Sequence, residues 1–477
     1  MNVTDSIRVK ASKGGDAVAI VRRKGSSVSY RELDRMIDSV GTHLVAAGIE
    51  PGDIVVVDIA PLTANLVAIL ALARFGAIAA PEQFSTDRRS ATLSDRAAPT
   101  ATPGRTIRFE PAWLRNPAPG IAAGSRGGGR DVAIIHPSSG TTQKPKHVAI
   151  SHECLVHRID LLERGVPLPR DPRVLCLVRA ISAYGFDTVV RALSVGATLM
   201  LATQVEEAIE ALARDRANHV TLNPLWIERL LEAAPPEGRA FPSLERVEFA
   251  GSHLAHPRYL VARERLCPDI WNHYGATEMG LIASAPMAEL VDHPQAVGFA
   301  AAGVEIEAVG DDGVPLPRGA HGRLRARSPA IVDGYFDDPA QTAAAFRDGW
   351  YWTADVGSVA GNGLVTLGGR ESEMINIGGY KLSPRAIEDA LLSLEGVRDA
   401  AVFAVPDPEG ITQMWAAVVI DPSLDAATLS GRVQAKLAGY APRYLLTVPS
   451  IPRNEGGKVM RDRLVASVSA SIATSAR

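Results

Sequence analysis

Cysteine is nearly missing from this 477-residue chain. Cys154, Cys176 and Cys267 are an odd number at spacings that fit no metal-binding pattern, which excludes a disulfide framework and a cysteine-built zinc site. Buried or inert thiols in a reducing compartment are expected instead. An excess of charge of either sign is also missing: 50 Lys and Arg face 53 Asp and Glu, a net charge of −3, so nothing in the balance draws the chain to nucleic acid or to a membrane. No apolar run is long enough to cross a bilayer, and the start Met1-Asn-Val-Thr-Asp-Ser lacks the basic-then-apolar order of a secretory signal. The expected location is cytoplasmic. No internal repeat is visible.

What the chain does have is length and apolar content, 46% hydrophobic, enough for large cores in more than one domain. Its organising stretch is Asp131 to Ile150. A short apolar strand leads into the hydroxyl residues Ser138, Ser139, Thr141 and Thr142 around Gly140, then Lys144 and Lys146, then a second apolar run. Hydroxyls that donate to phosphate oxygens, a glycine that lets the backbone expose its N–H, and two lysines make a polyphosphate loop. It is not the Walker form, in which Gly-Lys-Ser/Thr runs straight into a helix; here Pro145 separates the lysines.

Strands and helices alternate on both sides of this loop. Ser29-Tyr-Arg-Glu32 has the form of a capping box, followed at helical spacing by Leu33, Met36, Ile37, Val40 and Leu44 until Gly48 and Pro51. Strand Asp53 to Ala60, helix Thr63 to Phe75 and strand Gly76 to Ala80 follow. Pro111 to Arg130, rich in Pro, Gly and Arg, reads as an exposed, mobile lead-in. Beyond the loop come strand Val174 to Val178, helix Thr188 to Val195, strand Ala197 to Ala202, helix Glu206 to Asp215, strand His219 to Leu222, helix Leu225 to Ala233, strand Arg246 to Ala250 and a helix before Cys267. Such alternation implies a parallel sheet covered by helices, with ligands at the strand ends. The polar run ending Tyr274-Gly-Ala-Thr-Glu278 is expected just past such an end. From about Val297 short β-like runs suggest a smaller β subdomain, and after Ser372 an α+β unit follows: Ser383-Pro384 starts a helix, and Val397 to Val405 and Trp415 to Ile420 are strands.

Six motifs then stand in one order: Ser138 to Lys146, Tyr274 to Glu278, Trp352-Thr-Ala-Asp355, Gly369-Arg370, Gly378-Gly-Tyr-Lys-Leu-Ser-Pro384 and Pro452-Arg-Asn-Glu-Gly-Gly-Lys458. Together they resemble the AMP-forming acyl- and aryl-CoA synthetases of the adenylate-forming superfamily, which includes luciferases and peptide-synthetase adenylation domains. The resemblance covers nearly the whole chain. It implies an α/β fold, with a large N-terminal domain (1–370) of two α/β sheets plus a β subdomain, and a small mobile α+β C-terminal lid (371–477).

The resemblance also assigns roles. Ser138, Ser139, Gly140, Thr141, Thr142 and Lys146 would hold the ATP phosphates, Thr277 the α-phosphate, and Glu278 the Mg²⁺ ion, a hard cation suited to carboxylate, phosphate and water oxygens. Asp355 would accept from the ribose hydroxyls, Arg370 would donate to ribose or phosphate, and Tyr274, next to Gly275, would stack on adenine or line the acyl pocket. Lys458 would be carried in by the lid to offset charge between carboxylate and α-phosphate. The acid pocket would draw on Ser182, Tyr184, Gly185, Asn223, Gly251, Ser252, Tyr274 and Gly280, with Asp187 either beside it or structural. Gly378, Gly379 and Tyr380 would frame the coenzyme A arm, and Ser372 would be the hinge.

Gln143, His147 and Ala354 replace common glycines of the family pattern, Ser182 replaces a common histidine, Ser372 an Asp or Lys, and Asn376 a lysine. These departures spare the nucleotide chemistry and bear on the second half-reaction. The leading expectation is therefore an ATP- and Mg²⁺-dependent ligase that forms an acyl-adenylate and passes the acyl group to a thiol, coenzyme A first. A carrier protein, an amine or an oxyanion such as nitrite are alternative acceptors, and a non-catalytic nucleotide-binding regulator is a third class.

Overall fold

The computed structural model describes residues 1–22, 25–81, 84, 90–96, 104–122, 124–138, 146–235, 237–293, 295–370, 373–377, 380–406, 412–454 and 457–475, the side chains of 380–381 and 469–475 aside. Three sheets carry the fold. The first runs, edge to edge, Arg105–Arg108, Ser90–Ser94, Ile54–Asp58, Ile78–Ala80, Val132–Ser138 and Lys146–Ser151. Its strands are parallel except the last, which folds back antiparallel so that Ser138 pairs with Lys146 across the mouth of the expected phosphate loop. Helix Leu62–Phe75 packs here, buried nearly all round because its sequence is apolar on every face. Gly76, at φ +90, ends it.

The second sheet has fourteen strands. Val18–Val21, Thr198–Leu201, Arg173–Cys176, His219–Leu222, Arg246–Phe249 and Ile270–Ala276 form its parallel part. From Ile270–Ala276 the ladder turns antiparallel through Gly280–Pro286, Ala296–Ala300, Leu364–Arg370, Trp350–Val359, Gly322–Arg327 and Glu305–Val309. The β subdomain expected from Val297 is thus one hydrogen-bonded ladder with the α/β part. Helices Tyr30–Ala46, His152–Gly165 and Ala183–Val195 lie toward the first sheet, in a core shared by strand residues of both sheets, such as Val57 and Val174, and helix residues such as Leu70 and Leu193. The capping box at Ser29 and Glu32 forms as the sequence predicts.

Beyond Ile375, the strands Val397–Pro406, Thr412–Ile420 and Tyr444–Thr447 form a third sheet. Helices Pro384–Leu392, Ala426–Leu437 and Arg461–Ser475 accompany it, and it has cores of its own around Leu391 and Val402 and around Phe403 and Leu464. The architecture is therefore a large N-terminal α/β domain followed by a small α+β domain.

Two expectations change. Pro111 to Arg130 is not simply exposed: Trp113 stacks on His43 with ring centroids 4.6 Å apart, the Ala118 N–H donates to Thr42 Oγ1 at 2.8 Å, and Arg126 lies over Phe75 at 4.8 Å. Its Pro and Gly content marks irregular backbone, and irregular backbone can still pack. The helix expected from Thr188 begins at Ala183, because Ser182 is its N-cap, so Tyr184, Phe186 and Asp187 are helical. All three cysteines are free and buried, and burial raises their thiol pKa values, Cys176 to about 12 and Cys267 to about 11. They are inert by construction.

Candidate active site

Strand Ile270–Ala276 continues through Tyr274 and Gly275, so only Thr277 and Glu278 lie past its end, in the turn to Gly280–Pro286. Gly280 makes that turn at φ +70, and a Cβ there would lie 3.1 Å from the Arg158 side chain. Two neighbouring strands meet the turn from the side. They pair Asp355 with Arg370, whose Nε is 3.5 Å from Asp355 Oδ1, while the Tyr274 hydroxyl donates to Asp355 Oδ2 at 2.7 Å. Burial, then Asp355, push the Tyr274 phenol pKa upward, so it stays a donor. Asp355 is thus fixed by two partners at a partly open position.

Glu278 is buried, 5% exposed, and its Oε1 accepts from the Tyr335 hydroxyl at 2.9 Å. The Lys146 ammonium sits 4.7 Å from the centre of the Tyr335 ring, and Val148 bridges to Tyr335. The first sheet therefore delivers Lys146, at the end of the expected phosphate loop, and the second delivers Glu278, to one place. Among the described residues no cluster of three or more His, Cys, Asp or Glu forms a metal cage. One buried carboxylate beside Lys146, where the phosphate loop is expected, does fit Mg²⁺, which keeps water and phosphate oxygens in most of its positions.

The C-terminal domain completes this charge set. Lys458 lies among Arg370, Asp355, Glu373 and Glu278; burial first and Arg370 second bring its pKa down to about 8. Its turn is stapled by Asn454, whose Oδ1 accepts the Lys458 N–H at 3.0 Å, and by Arg453, which donates to the Gly457 carbonyl at 2.9 Å and pairs with Asp399 at 2.7 Å. Gly457, at φ +80, seats so closely on the loop after Arg246–Phe249 that a Cβ would lie 3.2 Å from Ser252 Oγ. The same loop presents His253 to helix Pro384–Leu392. Arg385 donates to His253 Nδ1 at 2.8 Å, and His253 Nε2 reaches Asp389 Oδ1 at 3.0 Å. Both ring nitrogens are engaged, as a neutral imidazole protonated on Nε2 requires.

The residues expected to line an acid pocket sit on the neighbouring strand ends and helix starts. Ser182 Oγ accepts from the Gly185 N–H at 3.2 Å, and Gly185 is so close to the Arg179 carbonyl that a Cβ would lie 2.1 Å from it. Asn223 caps helix Pro224–Ala233, and Gly251, at φ +97, opens the loop to Ser252. The Tyr184 hydroxyl is buried. Asp187 is structural: Arg158 Nη1 pairs with it at 3.2 Å while Arg158 Nη2 donates to the Thr277 carbonyl at 2.7 Å. Arg158, fully buried, thereby braces the turn that carries Thr277 and Glu278. Sequence reasoning missed Arg158, although an arginine at helical spacing from Cys154, Leu161 and Leu162 is a detectable signal; His253 offered none. Ser139, Gly140, Thr141, Thr142, Ser372, Gly378 and Gly379 lie outside the described residues, as does the side chain of Tyr380.

Comparison with known proteins sets this geometry beside others. The family model described as AMP-binding enzyme matches residues 7–101 and 85–336, and that of the AMP-binding enzyme C-terminal domain matches 386–458. Indoleacetate–CoA ligase of Aromatoleum aromaticum is 29% identical over 378 residues, 76% of this chain and 72% of that protein. The amide bond synthetase McbA of Marinactinospora thermotolerans superposes with a TM-score of 0.81 at 28% identity, over 98% of this chain and 99% of that one. O-succinylbenzoate CoA synthetase of Bacillus subtilis, in complex with its acyl-adenylate, shares the fold at a TM-score of 0.85 and 20% identity, over 96% of this chain and 97% of that one.

Proposed function

The chain belongs to the family of AMP-binding enzymes, and from that premise we propose that it is an ATP- and Mg²⁺-dependent ligase that activates a carboxylic acid and passes it to the thiol of coenzyme A. In the first half-reaction a carboxylate oxygen attacks the α-phosphorus of ATP; the bond to the β-phosphate oxygen breaks, and pyrophosphate leaves. In the second, a thiolate attacks the acyl carbon and AMP departs. The observation that carries this reading is the convergence of Lys458, from the C-terminal domain, on Asp355, Arg370 and Glu278.

Asp355, held by Tyr274 and Arg370, offers a fixed acceptor for a vicinal diol such as ribose. Thr277 stands at the braced turn for the α-phosphate, and Ser138 and Lys146 flank the polyphosphate. Glu278 would hold Mg²⁺, which supplies charge neutralisation to the triphosphate when bound. Lys458 places a cation where negative charge gathers in the first step. Ser372 is the proposed hinge for a rotation that would remove Lys458 and admit the thiol.

An amine acceptor is the second reading, favoured by the likeness to McbA, an amide bond synthetase, over nearly the full length of both chains. ATP-dependent pyrophosphate release across a panel of acids, with hydroxylamine trapping of the adenylate, tests the first half-reaction. Offering coenzyme A, a carrier protein and amines in turn tests the second. Pyrophosphate release without acyl-CoA, but with amide, would replace the first reading by the second; ATP binding with no release for any acid would leave the regulator.

A further inference from the structure

The face of the long sheet that looks toward helix Ala183–Val195 is apolar at Leu199, Val174 and Cys176 but turns polar on the strands that follow. Side chains alternate along strands, and the register Thr221↔Glu248, with Glu248↔Trp271 next to it, sets Thr221, Glu248 and His273 on one face. The opposite face, with Val220, Val247 and Phe249, is an apolar core. Thr221 is 1%, Glu248 1% and His273 5% exposed. One carboxylate oxygen of Glu248 is engaged, by Arg191 at 3.0 Å and His219 at 3.6 Å. Glu248 Oε1, Thr221 Oγ1, both ring nitrogens of His273 and the hydroxyl of Tyr184 have no hydrogen-bond partner among the described residues. Tyr184 and His273 meet edge to face, with ring centroids 6.3 Å apart.

A buried polar group without a partner is destabilising, so four such side chains at one face are not what stability alone selects. Their position suggests what meets them. Asn223 lies two residues beyond Thr221, about 7 Å along a strand, and it lines the seat of Gly457, whose Cβ would come 3.8 Å from Asn223 Cγ. The polar layer therefore lies beneath the lysine turn by about the length of one substituted aromatic ring.

Resting on the adenylation reading above, we infer that this layer is the far end of the acid pocket, and that it recognises a compact, ring-sized acid bearing a hydrogen-bond donor, hydroxyl or amino, opposite its carboxylate. Burial opposes ionisation of Glu248, yet Arg191 and then His219 hold its carboxyl pKa well below the usual range, so Oε1 is an acceptor. Burial holds the His273 ring neutral, with a pKa of about 4, which leaves one acceptor nitrogen. A second carboxylate on the acid would meet the Glu248 charge, and a bare alkyl end would leave these acceptors unpaired.

The test is calorimetric binding of 5′-O-acylsulfamoyl adenosines, unreactive mimics of the acyl-adenylate, made from aromatic acids that differ only in hydrogen, hydroxyl, amino or carboxylate on the ring. The wild type is compared with Tyr184→Phe and Thr221→Val. Each substitution deletes a hydroxyl with no hydrogen-bond partner among the described residues, so the thermal midpoint should hold or rise. The hydroxyl or amino mimic should bind at least about 10²-fold tighter than the hydrogen mimic, and this gap should shrink about tenfold in either variant. Equal binding of the hydrogen mimic, preference for the carboxylate, or a gap unmoved by both substitutions would overturn the inference while leaving adenylation intact. Failure of all four mimics and of AMP to bind would remove the adenylation reading and this inference with it.

Discussion

Lys458 has its pKa lowered to about 8 by burial and Arg370, so its cationic form is the one lost as pH rises. Because kcat/KM reports the free enzyme, its value for pyrophosphate release should fall as pH rises through about 8; saturating ATP, by adding negative charge, should move that limb upward in kcat. Lys458→Ala should fold normally and lose adenylation by about 10²–10³-fold, while still consuming a supplied acyl-adenylate. An unchanged alkaline limb in that variant would take the lysine out of the first step. Arg158 differs in kind. Its removal leaves Asp187 an unpaired buried charge, so Arg158→Met should destabilise by about 3–5 kcal/mol in urea melts. Replacing Asp187 by Leu as well should restore most of that stability. It should not restore adenylation, because the Thr277 carbonyl still lacks its donor.

At the scale of elements, helix Pro384–Leu392 docks through one imidazole. His253 accepts from Arg385 only while its Nδ1 is bare, and burial together with Arg385 lowers its pKa. Acidification that protonates it makes Nδ1 a donor facing a guanidinium and should loosen the docking; Asp389, on the other ring nitrogen, and His256, Asp292, His293 and Lys436, which line the same cleft, are titratable groups nearby. His253→Ala should reduce adenylation by about 5–30-fold, the equivalent of 1–2 kcal/mol, with chemistry from a supplied adenylate retained. Equal loss of both half-reactions would show that the contact serves stability alone. Much at this scale was legible in the sequence: the capping box at Ser29, the apolar helix to Phe75 with Gly76 behind it, and the strand His219–Leu222 follow from local pattern. So do Glu278, Asp355 and Lys458 as candidates, because each lies inside a motif. His253 and Glu248 were not legible, and of Arg158 helical spacing could show only that it lies on a buried helix face, not what it pairs with. Their meaning comes from partners 29 to 136 positions away in sequence, brought near only by sheet order, and no local periodicity encodes that.

For the molecule as a whole, the fourteen-stranded ladder joins Thr221, Glu248, His273 and Tyr274 to Asp355 and Arg370 by continuous strand pairing. Amides in its central strands should therefore exchange with solvent as one cooperative unit, separate from the three-stranded C-terminal sheet, whose cores are its own. Hydrogen exchange read by mass spectrometry would check this; equal protection in both sheets that is lost together would contradict it. The ladder also acts as a ruler. With the proposed floor of the acid pocket and the proposed sugar-binding carboxylate ruled on the same sheet, the distance between them does not depend on where the C-terminal domain stands. On that proposal the length of an acceptable acid would be gauged before Lys458 arrives, so an acid that is too long would be refused at binding and not at the chemical step.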